Sequence, residues 1–211
     1  VIVSGTCTPE VTSSEVLLTI HEKPEIVVDP ADTTVCEGDG AAFFIYAGVT
    51  TNPQFKWQVN TGAGWSDVSG APYMGQASSS LLLTTTTSVM HGYRYRAIVS
   101  GTCTPADTSA EAALYIYEKP EVTVHPVDQT ECEDGSVIFF VNPGVTTNPT
   151  FQWQVDKGSG FYDITDPNYS GINNHTLTVL NITSSMNGYR YRAIVSGTCA
   201  PADAISNPAR L

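Results

Sequence analysis

The sequence predicts an all-β chain laid out as an elongated tandem array of sandwich domains. Three observations carry this. Tyr-Arg-Tyr-Arg-Ala-Ile-Val-Ser-Gly-Thr-Cys runs from Tyr93 to Cys103 and again, unchanged, from Tyr189 to Cys199, and its tail opens the chain as Val1 to Cys7. Cysteines at 7, 103 and 199, and at 36 and 132, recur every 96 residues, and 24–107 match 120–203 at about half of their positions. The unit of folding is therefore a repeat of ordinary domain size, able to bury a core of its own. Where apolar residues alternate, the period is two and never 3.6, so strands are expected and helices are not.

Taken in order, residues 1–20 correspond to 97–116. They read as the last hairpin of a preceding repeat: the end of one strand at Val1–Ser4, a loop through Cys7, and a second strand over Ser14–Ile20. An isolated hairpin would expose unpaired edges and apolar faces, so it is expected to pack on a neighbouring repeat or chain. His21-Glu-Lys-Pro24 is a short link, repeated as Tyr117-Glu-Lys-Pro120. Links this short restrict the angle between domains. The expected division is 21–117 for the first full repeat and 118–211 for the second.

Within the first repeat, Pro24–Val28 alternates and stops at Asp29-Pro30, as edge strands do. Thr33–Cys36 is a short extension before a turn at Glu37–Gly40. Ala41–Ala47 is apolar, and Phe55–Val59 puts Phe55, Trp57 and Val59 on one face. Thr61–Gly64 turns into Trp65–Val68. Leu81–Thr84, Tyr93–Ser100 and Ala110–Ile116 complete the set. The second repeat gives Pro120–Val124, Ser136–Val141, Phe151–Val155, Phe161–Ile164, Leu177–Leu180, Tyr189–Ser196 and a last strand ending at Leu211. One residue is inserted near Ile205, so that Ser206 aligns with Ser109. Short strands between turn signals read as a β-sandwich.

Charge narrows the partners. Nine Lys and Arg against 21 Asp and Glu give a net charge of -12. Such a field repels nucleic acid and anionic membrane surfaces and favours divalent cations. Nothing resembles a secretory apolar region or a run long enough to span a bilayer. Regularly spaced cysteines without Cys-x-x-Cys pairs read as disulfide partners in an oxidising, extracellular compartment.

The order of these signals resembles an immunoglobulin-like domain. Trp57 and Trp153 stand where the core tryptophan of strand C belongs. Leu177–Val179 followed by Ile182 looks like strand E. Gly188 followed by Tyr191-Arg-Ala193 looks like the entry to strand F, with Tyr191, and Tyr95 in the first repeat, as the core tyrosine of the tyrosine corner. Two departures matter: Ala97 and Ala193 replace one core cysteine, and Ile45 and Val141 replace the other. The wording of Val35–Gly48, Phe55–Gly70, Tyr73–Gly75 and Gly92–Cys103 resembles the Ig-like repeats of very large secreted surface proteins of Bacteroidota. These include gliding-motility adhesins and other cargo of the type IX secretion system. The resemblance implies tandem immunoglobulin-like sandwiches and says nothing of a ligand.

On that strand assignment Cys36 lies near the bottom of a sandwich and Cys103 towards the top, tens of ångströms apart, whereas a disulfide needs Cα atoms within roughly 7 Å. In a head-to-tail array, Cys36 would meet Cys199 across the joint. Cys132 would then await a following repeat, and Cys103 and Cys7 preceding ones. Intradomain pairs (Cys36–Cys103, Cys132–Cys199) and free thiols stay open.

No catalytic residue and no metal site is assigned from the sequence. His21, His91, His125 and His175 are scattered, and no nucleophile-base order or phosphate loop emerges. Acidic residues gather near the joints: Asp29, Asp32, Glu37 and Asp39, then Asp128, Glu131, Glu133 and Asp134. Such clusters raise Ca²⁺ as the one candidate ligand. With His125 in place of Asp29 and no fixed ligand spacing, solvated turn charges is the reading adopted, and no cofactor is expected. Trp65, Phe161, Tyr162, Tyr73 and Tyr169 could stack on sugars, but an aromatic kept in both repeats reads as core. Arg94, Arg96, Arg190 and Arg192 should line the outer face of strand F beside Gln58 and Gln154. Asn168, Asn174 and Asn181 form glycosylation sequons, and Asp32-Thr33-Thr34 resembles an O-glycosylation motif of secreted Bacteroidota proteins.

The expected role is a non-enzymatic stalk or filament segment of a cell-surface adhesin, with neighbouring repeats as partners. The alternatives are a module binding surface glycans, or an accessory domain of a secreted enzyme. Binding loops should diverge between repeats, yet Gly48–Pro53 and Gly144–Pro149 are identical, which favours scaffold.

Overall fold

The computed structural model describes residues 1–199 and 203–211. Strand β1 (Ile2–Val3) pairs antiparallel with β2 (Val11–Thr12), Ile2 opposite Thr12. All of residues 1–20 are exposed. Ser14–Ile20, expected as a strand, has no ladder. Its counterpart in the first sandwich, Ala112–Tyr117, is held by Arg94, Tyr95 and Thr33–Cys36.

The first sandwich contains β3 (Ile26–Val28), β4 (Thr33–Cys36), β5 (Ala41–Phe44), β6 (Tyr46–Ala47), β7 (Gln54–Asn60), β8 (Trp65–Asp67), β9 (Tyr73–Met74), β10 (Ser80–Leu83), β11 (Arg94–Ser100), β12 (Asp107–Thr108) and β13 (Ala112–Tyr117). One sheet runs β5-β10-β9, with β3 on β6 beside it; the other runs β4-β13-β11-β7-β8, with β12 also on β11. β4 lies parallel to β13, Leu114 opposite Thr33 and Tyr117 opposite Cys36. All other pairs are antiparallel. Alternation dictates the packing: Tyr95, Ala97 and Val99 of β11 point inward against Trp57 and Val59, while Arg94 and Arg96 point out.

The second sandwich repeats the plan with β14 (Val137–Phe140), β15 (Thr150–Asp156), β16 (Phe161–Asp163), β17 (Tyr169–Ser170), β18 (Thr176–Val179), β19 (Arg190–Ser196), β20 (Ala204–Ile205) and β21 (Ala209–Arg210). The chain therefore folds as tandem immunoglobulin-like β-sandwiches. The structure takes up the inserted residue before β20 rather than at Ile205: Ala204 pairs with Val195 as Asp107 does with Val99, and Ser206 Oγ accepts the Ala193 N–H at 2.9 Å as Ser109 Oγ accepts that of Ala97. Two three-residue 3₁₀ turns, Ser88–Met90 and Ser184–Met186, precede β11 and β19 and escape a reading by periodicity.

Two expected strands are weaker in the second sandwich. Pro120–Val124 makes only one bridge, Val124 opposite Asn142. Pro143 stands where Ala47 stands in the first sandwich and has no N–H for a ladder. Residues 129–132, equivalent to β4, make no strand, and Gln129 N–H donates to the Arg210 carbonyl at 2.8 Å. A groove of about 300 Å³ lined by Gln129, Glu131, Ile182 and Leu211 opens there.

Trp57, Trp153, Tyr95 and Tyr191 are fully buried, and Ile45 and Val141 are buried opposite Ala97 and Ala193. Small and branched residues thus occupy the space of the inter-sheet disulfide common in such domains, and stacked rings fill in beside them: Phe43 on Tyr95 at 4.6 Å, Phe139 on Tyr191 at 4.8 Å. Each core indole is satisfied by a backbone carbonyl, Trp57 Nε1 by Ser78 and Trp153 Nε1 by Asn174, both at 2.9 Å. The tyrosine-corner expectation needs correction in its bonding. The Tyr95 hydroxyl meets that of Tyr73 at 3.3 Å, and the Tyr191 hydroxyl meets that of Tyr169 at 3.5 Å, rather than an upstream carbonyl. Burial pushes both phenols far above their usual pKa.

Trp65 and Phe161, read from sequence as core, lie outside. Asn60 pairs with Trp65 and Gln58 with Asp67, so Trp65 and Asp67 share the face of Gln58, opposite that of Trp57. The guanidinium of Arg96 sits 4.1 Å over the Trp65 ring and that of Arg192 4.0 Å over Phe161. Arg96 Nε also donates to Gln58 Oε1 at 3.0 Å, and Arg192 Nε to Gln154 Oε1 at 2.8 Å. The four arginines do line that outer face.

Candidate functional site at the inter-domain joint

The residues that repeat most strictly converge at the joint. Gly-Val-Thr-Thr-Asn-Pro forms the loop before β7 and before β15, and Ser-Gly-Thr-Cys follows β11 and β19. Together they hold the incoming link by its backbone. Glu118 N–H donates to Thr147 Oγ1 at 2.8 Å, Thr147 N–H donates to the Glu118 carbonyl at 3.3 Å, and Glu121 N–H donates to Thr146 Oγ1 at 3.0 Å. Thr198 N–H donates to the Thr147 carbonyl, and Asn148 Nδ2 to Thr198 Oγ1, both at 3.0 Å. Gly197 permits the close approach: a Cβ there would fall 2.9 Å from the Thr147 oxygen. The same bonds recur at the first link, with Glu22, Glu25, Thr50, Thr51, Asn52 and Thr102 in the corresponding places. An ordered hydrogen-bonded link has few conformations, which is how a four-residue segment fixes an angle.

From the other side, the first sandwich presents the end of β4. Glu37 N–H donates to the Tyr117 carbonyl at 2.9 Å. Lys119 Nζ reaches the Gly38 turn, 3.3 Å from where a Cβ would stand. The Ser88 amide holds the Glu37 carboxyl below its ordinary pKa, with the Glu118 carboxyl and the Lys119 charge adding to this. Burial, then the Glu37 charge, pushes the Glu118 carboxyl up.

Cys36 and Cys199 are bonded across this joint, with Cα atoms 5.8 Å apart and a separation of 163 positions in sequence. Closing a loop of that length removes unfolded-chain entropy worth about 5 kcal/mol in the loop-entropy account. Cys7 and Cys132 are exposed thiols and Cys103 is half-buried. Cys103 Sγ faces the His21 carbonyl at 3.4 Å, the same place that Cys199 Sγ occupies against the Tyr117 carbonyl at 3.5 Å. Cys132 stands at the position of Cys36.

The acidic residues and histidines near the joints serve their own sandwiches. Asp32 Oδ1 accepts the Ala113 N–H and Asp128 Oδ1 that of Arg210, both at 2.7 Å. Asp29 Oδ1 accepts the Ala110 N–H at 2.7 Å; at the equivalent place His125 Nδ1 accepts the Asn207 N–H at 3.0 Å. That explains the exchange of Asp for His: the position needs an acceptor, and either side chain supplies one. Glu133 Oε1 likewise accepts the Ser184 N–H at 2.9 Å. His91 Nδ1 accepts the Ile116 N–H at 3.0 Å. Among the described residues no three His, Cys, Asp or Glu side chains converge as metal ligands, and no helix is long and apolar enough to cross a membrane.

No family model matches the chain. A curated protein, Endoglucanase C of Cellulomonas fimi, is 29% identical over 190 residues, which covers 89% of this chain and 16% of that protein; the chain thus spans about a sixth of the relative it matches. Among solved structures, the two-domain crystal structure of DIP-gamma IG1+IG2 matches with a TM-score of 0.61 at 13% identity, covering 90% of this chain and 97% of that one. The titin I-band fragment I67-I69 matches with 0.55 at 16% identity, covering 90% and 65%. Extracellular domains 3-5 of Drosophila OTK match with 0.53 at 20% identity, covering 96% and 66%. At these identities the likeness is one of fold: this chain shares the tandem immunoglobulin-like sandwich.

Proposed function

We propose that this chain is a scaffold segment of an extracellular repeat protein, a stalk whose units, 21–117 and 118–211 with 1–20 belonging to a preceding unit, are joined stiffly end to end. The joint carries the reading. Its most repeated side chains bind link backbone and the neighbouring sandwich, and a covalent bond crosses it. Cys132 and Cys103 occupy the two halves of an equivalent joint, so each fits a bond to a further repeat, and Cys7 a bond to an earlier one. The resemblance to Bacteroidota surface adhesins makes a cell-surface filament the specific form of this reading. Small-angle scattering together with NMR rotational diffusion tests it. The oxidised chain should tumble as one elongated body, and Cys36→Ser should broaden the interdomain angle. Two independently tumbling domains in the oxidised chain would defeat it.

A second reading is favoured by the likeness to an endoglucanase: an accessory module of a secreted polysaccharide-acting enzyme, with the half-buried Trp65 and Arg96 on the outer face as the contact. Retention of the chain on insoluble cellulose, lost in Trp65→Ala, would put this reading first.

A further inference from the structure

We infer that the Cys36–Cys199 bond is a mechanical bypass, which carries tension past both sandwich cores so that neither can be unravelled by pulling on the chain ends.

The argument is one of connectivity. The loop closed by the bond holds residues 37–198. It contains the whole core of the first sandwich, from Ala41 to Ile116, and that of the second except Ala209 and the adjoining Leu211. Among the described residues, the β1–β2 hairpin and the edge elements β3, β4, β20 and β21 lie outside it. Tension applied at the ends therefore enters through β3 and β4, crosses to Cys199 and leaves through β20 and β21. Of the edge elements, β3 is held by two paired positions on β6, and β20 and β21 by two each on β19, so these peel first. Between Cys36 and Cys199 the separation stays near the 5.8 Å of the folded joint. The same residues freed would extend by about 550 Å at roughly 3.5 Å per residue.

The positions of the other cysteines extend the scheme. Cys103 and Cys132 lie inside this loop at the places equivalent to Cys199 and Cys36. If each joint of an array carries the bond, stretches such as 37–103 are spanned by two bonds, and 104–131, which hold β12, β13 and the link, by one. Breaking a single bond would then release only 104–131, β13 included, while 37–103 and 132–198 stay locked by the neighbouring bonds. This last step rests on the array reading above; the bypass within the chain does not.

Single-molecule stretching of the intact chain, tethered at residues 1 and 211, tests the inference. The oxidised chain should give only short releases from 1–35 and the terminal β20–β21 segment, with no domain-sized step. Dithiothreitol, oxidised to its cyclic disulfide as Cys36 and Cys199 become thiols, should add two domain-sized steps totalling about 550 Å. Cys36→Ser should show those steps without reductant, and Cys103→Ser should leave the oxidised trace unchanged. Domain-sized steps in the oxidised chain that ignore reductant would overturn the inference. So would an oxidised release of about 100 Å from residues 104–131, the signature of Cys36–Cys103 and Cys132–Cys199 pairs. Neither result depends on whether the protein is a stalk, and a flexible joint in solution would defeat the stalk while leaving the bypass standing.

Discussion

Thr147 holds both backbone groups of Glu118: its hydroxyl accepts the Glu118 N–H at 2.8 Å, and its own N–H donates to the Glu118 carbonyl at 3.3 Å. Thr51 does the same to Glu22, 96 residues earlier. A side chain that binds backbone tolerates any sequence in the link, so the loop, not the link, determines whether a joint is stiff.

Thr147→Val keeps shape and removes the acceptor. A neutral hydrogen bond contributes about 1 kcal/mol, so amide exchange at Glu118 should quicken about fivefold. The Glu22 amide, held by Thr51, should not change. Unaltered exchange at Glu118 would mean that the link is fixed by the disulfide alone.

The two cores share no residue, so damage to one should stay there. Trp153→Ala removes the largest ring of the second core and strands the Asn174 carbonyl that its N–H satisfies. The loss should be about 3–5 kcal/mol. Denaturant unfolding should show one early transition and one unchanged, and Trp57→Ala should exchange the roles of the sandwiches. A common shift of both transitions would show that the sandwiches unfold as one unit.

Glu37 and Glu118 meet across the joint with opposite displacements. A carboxyl lowered by folding, as Glu37 is by the Ser88 amide, stabilises above its ordinary value of 4.5 and loses that on acidification. A carboxyl raised by folding, as Glu118 is by burial, stabilises below 4.5 and loses that as pH rises. Lys119, Glu121 and His91 are the other charged groups acting on the pair. In the wild type the two slopes oppose each other. Relative to wild type, Glu118→Gln should lose stability as pH falls towards 4.5 from above, and Glu37→Gln should lose it as pH rises towards 4.5 from below. Melting curves between about pH 3 and pH 7 that stay parallel for all three proteins would refute the coupling.

How much of this was readable in the sequence depends on whether the information is local. The 96-residue repeat and the two-residue period led to both sandwiches, and the spacing of Trp57 and Tyr95 led to their core, because strand alternation is written in neighbouring residues. The joint was only half legible. Thr-Thr-Asn and Ser-Gly-Thr-Cys stood out as unchanged loops, yet nothing local says that Thr147 binds the backbone of Glu118. The loss of a strand at Pro120–Val124 was missed, although Pro143, a residue without an N–H opposite that edge, was the available signal. The missing ladder of residues 129–132 was not legible, since its partner rows lie on another strand. His125 was opaque for the same reason: its acceptor role shows only against Asn207.

The clearest misreading, Trp65 and Phe161 as core, yields its own test. Asp67, two residues beyond Trp65, was the available signal, since residues two apart on a strand share a face. The structure puts the Phe161 ring under Arg192 at 4.0 Å, with Arg190 at 5.7 Å, on a solvated face. A buried phenylalanine truncated to alanine costs about 3–5 kcal/mol, whereas an exposed cation–π contact is worth about 0.5–1 kcal/mol. Phe161→Ala should therefore cost no more than about 1 kcal/mol. In a double-mutant cycle with Arg192→Ala, most of that cost should appear as coupling, because the ring has little else to pack on. A loss near 4 kcal/mol with no coupling would return Phe161 to the core.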